Sequence, residues 1–164
     1  MKMFERLQTK KKDNKGFSLV ELIIVIAIMA ILVGVVGTQV VPYLNKSKVA
    51  KDQQILNAFC TAAVSGYSYK ADRINATGTL TFDYYTTVAS TADTATAEQL
   101  IKSEMEGLIT YADLPALKKQ MGSDYGKNAT GITITFDFSN NKCTAHLDST
   151  SHKKPVVEDV VSAL

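Results

Sequence analysis

One carboxylate set in an apolar run is the first feature of this chain that could do chemistry. Glu21 is followed by Leu22 to Val41, a stretch without a charged side chain in which only Thr38 and Gln39 are clearly polar. An acid in hydrocarbon is costly: insertion scales put an aspartate at about 2.5–3.5 kcal/mol at mid-helix. Near the leading end Glu21 costs less and can snorkel to the interface, or it can be matched by a cation. A cut between Gly16 and Phe17 would supply one, an α-ammonium with an ordinary pKa of about 8. On a helix Phe17 and Glu21 stand i,i+4, so the two charges can meet within one chain. They can also pair between neighbouring chains and set their register.

The other reactive side chains form no such unit. Cys60 and Cys143 are the only cysteines. Outside the cytoplasm such a pair can persist as a disulfide, contributing about 4 kcal/mol in the chain-entropy model; equally, both can be small buried thiols. Cys143, His146, Asp148 and His152 lie close in sequence, but their spacing fits no zinc pattern, and strand alternation sends Cys143 and His146 to opposite faces. Serines are present without a Gly-x-Ser-x-Gly elbow, there are only two histidines, and no phosphate loop is found. No catalytic residue, metal or other cofactor is expected, and the chain is not read as an enzyme. A net charge of +2, without a basic stripe interleaved with aromatics, argues against nucleic acid as a partner.

The element that must position Glu21 is the apolar run itself. Its roughly 20 residues, at about 1.5 Å each as a helix, cover a hydrocarbon core of about 30 Å. The preceding residues carry Lys2, Arg6, Lys10, Lys11, Lys12 and Lys15 against Glu5 and Asp13, a larger basic excess than Lys46, Lys48 and Lys51 provide beyond it. The positive-inside bias therefore puts the N-terminus in the cytoplasm and the C-terminal part outside. An ordinary secretory signal has a shorter apolar core and is cut after it at an A-x-A-like site, which Val35-Val36-Gly37 imitates poorly.

Lys15-Gly16-Phe17-Ser18-Leu19-Val20-Glu21, followed by the long apolar helix, resembles the class III signal of type IV pilins and pseudopilins. The likeness covers about residues 10–41. It implies that a prepilin peptidase cuts after Gly16 and methylates the new N-terminal Phe17, and that Glu21 is the acid of the family's signal. It further implies assembly of identical subunits into a helical filament on a membrane platform, the subunit resting in the bilayer beforehand. Family members often carry a proline near the position of Thr38, and this sequence does not.

Beyond the apolar run the helical pattern continues with a polar face. Val49, Leu56, Ala63 and Tyr67 fall near one line, with Ile55, Phe59 and Ala62 beside it. One nearly continuous helix is expected from about Phe17 to Tyr69. Pro42 should kink it, since it lacks an N–H and crowds the carbonyl four residues back; Gly34, Gly37 and Thr38 weaken it too, each glycine by about 1 kcal/mol relative to alanine. The resemblance suggests that this stretch loosens in a filament.

Farther on, Thr79–Tyr84 alternates as a strand. Thr96 with Glu98-Gln99 reads as an N-cap and box opening a helix to about Glu106, with Gly107 as its stop. Asp113 and Pro115 open a second helix over Leu114–Met121, ended by Gly122. Ile132, Ile134, Phe136 and Phe138 share one strand face, Ser139–Lys142 is a turn, and Cys143, Ala145 and Leu147 return inward. Residues 155–164 suit an edge strand or a short helix.

The fold class expected is therefore α+β and, by the resemblance, type IV pilin-like, with a long N-terminal helical spine packed on a small antiparallel sheet. Residues 1–16 form a removable leader, 17–42 the transmembrane and assembly helix, 43–69 its amphipathic continuation, and 70–164 an extracytoplasmic domain. The function implied is that of a pilus subunit, made at the cytoplasmic membrane as a single-pass protein and then built into an extracellular filament. Its alternatives are a minor pilin, a type II secretion or competence pseudopilin, and, outside the family, a signal-anchored surface enzyme or binding protein.

Overall fold

The computed structural model describes residues 16–86 and 92–164; the expected leader, but for Gly16, lies outside the described residues. The chain divides into two units, Met1–Val41 and Pro42–Leu164. Helical structure runs from Leu19 to Arg73 as consecutive segments: α1 (Leu19–Val35), a π-helical stretch (Val36–Val40), α2 (Val41–Lys70) and a 3₁₀ turn (Ala71–Arg73).

In the first unit, α1 consists almost wholly of aliphatic side chains and buries none of them. Many are β-branched and only moderate helix formers in water. In lipid, by contrast, each backbone group must be satisfied within its own segment, which a helix achieves. The weak stretch that Gly34, Gly37 and Thr38 announce appears as a widened helical turn over Val36–Val40. Thr38 Oγ1 bonds back to the carbonyls of Gly34 at 3.1 Å and Val35 at 3.3 Å, and such back-bonding opens a helix locally. Pro42 contributes no N–H to the ladder that follows.

In the second unit, α2 buries Asp52, Ile55, Leu56, Phe59, Cys60, Ala62, Ala63 and Gly66, the face its 3.6-residue period requires. Four antiparallel strands lie in the order β1 (Thr79–Asp83), β2 (Ala129–Asp137), β3 (Lys142–Ser149) and β4 (Val160–Ala163). Ile132 pairs with Leu147, Ile134 with Ala145 and Phe136 with Cys143, and all six are buried. The period-2 pattern thus specifies the face. Asn141, with φ 51°, takes the left-handed position of the turn joining β2 to β3, a conformation asparagine tolerates. Tyr67 of α2 lies 5.7 Å from Phe136 and 5.4 Å from Phe138 between ring centres, so the helix covers the apolar sheet face. Phe59 meets Tyr84, Tyr85 and Tyr111 at 5.1, 6.2 and 6.1 Å, pinning two connecting segments.

Two elements differ from expectation. The helix expected to open at Thr96 begins at Ala92 and runs to Leu108 as α3, so Gly107 lies inside it. Glu98 is therefore an interior residue, and its carboxylate pairs with Lys102 at 2.6 Å. A box pattern marks a start only where no helix former precedes it, and Ala92 to Ala95 extend this one. α4 (Leu114–Gln120) begins as expected, with Asp113 accepting from Ala116 N at 2.7 Å. A further turn, α5 (Asp124–Lys127), capped by Ser123, was not expected. The tail resolves into the edge strand β4, bonded to β3 from Lys142↔Ala163 to Ala145↔Val160.

Candidate functional site

Ser18, Val20 and Glu21 build the start of α1. Ser18 is extended, at φ −67° and ψ 141°, and its hydroxyl accepts from Val20 N at 3.3 Å. Glu21, at the third helical position, folds back so that Oε2 accepts the Ser18 backbone N–H at 2.9 Å. Together these make a reciprocal capping box. Phe17 precedes the cap and is 89% exposed, so it does not stand in a helical i,i+4 relation to Glu21. The carboxylate instead addresses the next backbone nitrogen along. The N-terminal turn adds its own attraction for an anion, about 0.3–1 kcal/mol. The signal for this role was present in the sequence as Ser18-x-x-Glu21, the same pattern that misleads at Thr96.

Of the remaining candidate residues, Gly16 and Phe17 flank the expected cut, exposed and outside any helix or strand, where a peptidase can reach them. Gly34 and Gly37 have open space where a Cβ would stand. Cys60 and Cys143 are brought together between α2 and β3 as free, fully buried thiols, with Cys60 Sγ 3.5 Å from the Cys143 carbonyl oxygen and 3.7 Å from that of Val160. The Cys143 thiol donates toward Cys60 and, helped by backbone bonds from Ser162 and Ala145, draws the Cys60 pKa down against burial. The same contact and burial push Cys143 up. His146 lies on the opposite strand face, 2.5 Å from Asp159. No group of three metal-ligating side chains occurs among the described residues.

Asp52 is a polar residue that the sequence did not single out. Fully buried on α2, it accepts from Gly122 N at 2.7 Å, from Ser123 N at 3.0 Å and from the Ser123 hydroxyl. It ties the α4–α5 connection to the helix. Gly126 fits here because a Cβ would lie 2.5 Å from Asp52 Oδ2.

Residues 11–37 match the family model of the prokaryotic N-terminal methylation motif. The match spans the basic approach, Gly16-Phe17, Glu21 and the apolar helix to Gly37, and it supports a type IV pilin-like class III signal. Such a signal implies processing by prepilin peptidase and filament assembly in general. The α+β arrangement of a long N-terminal helix and a four-stranded antiparallel sheet is pilin-like as well. The chain matches no curated protein and no solved structure.

Proposed function

We propose that the chain is the structural subunit of a type IV pilus, held in the cytoplasmic membrane by α1, cut after Gly16, methylated on Phe17 and then polymerised through α1. The single observation that carries this reading is a 17-residue helix that buries nothing in its own chain, opened by one carboxylate on its cap. Lipid is as apolar as leucine, so transfer from bilayer to bundle gains little from hydrophobicity; packing and charge pairing must drive it.

The cap geometry gives the charge pairing a route. Cleavage turns the nitrogen of Phe17, one residue before the Ser18 N–H that Glu21 already holds, into an ammonium. One carboxylate oxygen keeps the cap while the other is free to face an amine. Opposite charges about 4 Å apart attract by about 4 kcal/mol at an effective dielectric of about 20, which offsets part of the desolvation of the two groups. Pairing with a neighbour's amine satisfies both charges and fixes the axial step between subunits. Removal of the leader also removes the lysines that would prevent burial of that end.

N-terminal mass spectrometry of the membrane and fibre fractions tests the reading. A methylated Phe17 terminus is expected; protein still beginning at Met1, or starting beyond Val41, overturns it. Glu21→Ala should insert and be cut normally but give few fibres, and normal fibre yield would remove Glu21 from the assembly step.

A further inference from the structure

Lysines gather at the start of α2, next along the chain after the apolar run. Lys46 and Lys48 follow Val41 by five and seven residues on α2, an axial distance of about 8 and 10 Å. Lys153 and Lys154 reach the same place from the other end of the chain, since Asn45, Lys48, Gly122, Ser123, Lys153 and Lys154 line one cleft. The headgroup layer is about 5–8 Å deep on each side of a hydrocarbon core of about 30 Å. With the end of the apolar run at the core boundary, the α2 positions of Lys46 and Lys48 fall in that layer, and Lys153 and Lys154 share the cleft of Lys48.

The surroundings match that depth. Tyr43 is 73% exposed, with Lys46 Nζ 5.9 Å from its ring centre, the pairing of aromatic body and cationic tip that suits an interface. Lys153 has a carboxylate partner, Asp124 at 3.6 Å, both well exposed; Glu158 lines the adjoining groove beside Lys46. Among the described residues Lys46, Lys48 and Lys154 form no ion pair, and the nearby Asp52 carboxylate is buried and bonded to Gly122 and Ser123. Positive charge on the translocated side also runs against the orientation bias, so orientation does not account for it.

We infer that Lys46, Lys48, Lys153 and Lys154 form a collar that binds anionic phospholipid headgroups of the outer leaflet and holds the unassembled subunit against the membrane. This rests on the membrane-held state proposed above. Phosphate oxygens suit ammonium groups as point charges, and each lysine near an anionic surface adds an attraction that salt screens. Entry into a filament would have to break these contacts, so lipid charge would set how readily the subunit leaves the bilayer.

Full-length protein in vesicles of phosphatidylcholine alone, or mixed with phosphatidylglycerol, would be acetylated on lysine and followed residue by residue by mass spectrometry. Lys46, Lys48 and Lys154 should react at least about threefold more slowly in the anionic vesicles, while Lys70 and Lys142 react equally in both. The protection should vanish in about 1 M salt, where the screening length falls to about 3 Å. K153Q with K154Q, both at exposed positions, should weaken the protection of Lys46 and Lys48. Equal labelling in both vesicles with the helix still resistant to alkaline extraction overturns the collar alone. Slow labelling in both vesicle types shows that anionic lipid is not what protects these lysines, and overturns it too. Protein stripped from both by alkaline extraction overturns the anchored state and the collar together.

Discussion

In α1 every side chain is exposed, Ile23, Ile26 and Leu32 included, whereas α2 buries eight residues under a sheet, a second helix and aromatic loops. Both stretches are helical, so the difference does not lie in backbone conformation. It lies in where each finds its partner. α2 has a polar face and an apolar face, and the same chain supplies the cover for the latter. α1 is apolar all round, a pattern that suits lipid or other helices of its kind. A helix can therefore be fully specified by sequence, capping bonds included, while its side chains find no cover among the described residues of the same chain.

The contrast can be broken by mutation. Phe59→Ala removes the ring that touches three tyrosines and should cost about 3–5 kcal/mol, read as a lower denaturation midpoint of the full-length protein. Asp52→Ala leaves the Gly122 and Ser123 N–H groups without their acceptor and should cost about 3 kcal/mol; a loss near zero would mean that water replaces the carboxylate. Ile26→Ala, in α1, should shift the same midpoint by less than about 0.5 kcal/mol, since surface positions seldom do more. If Ile26→Ala destabilised the folded unit as much as Phe59→Ala, the division between the two halves would not hold.

Much of this was legible because period and composition are local. Ile132, Ile134 and Phe136 alternate, as do Cys143, Ala145 and Leu147, so the inward faces and the hairpin followed from the sequence; the register did not, since a turn over Ser139–Lys142 would set Phe138 against Cys143, where the structure pairs Phe136 with Cys143 and Asp137 with Lys142. Asp113 with Pro115 announced α4. Thr96 and Gln99 misled because a capping pattern is also common inside helices, and α3 already begins at Ala92. Ser18 and Glu21 show the converse: the acid was visible as a membrane anomaly, yet its capping bond to Ser18 N is what orients it.

By itself the sequence determined the apolar helix, the cut-site pattern before it, the amphipathic continuation and the central hairpin, because each is written in neighbouring residues. Only the tertiary structure decided that Asp52 holds the Gly122–Ser123 turn, that Cys60 and Cys143 lie together, that the last residues complete a sheet edge, and that Lys153 and Lys154 join Lys48. The sheet edge joins residues 15 to 21 positions apart and the other pairings about 70 to 106, distances at which only the packed arrangement brings the groups within reach.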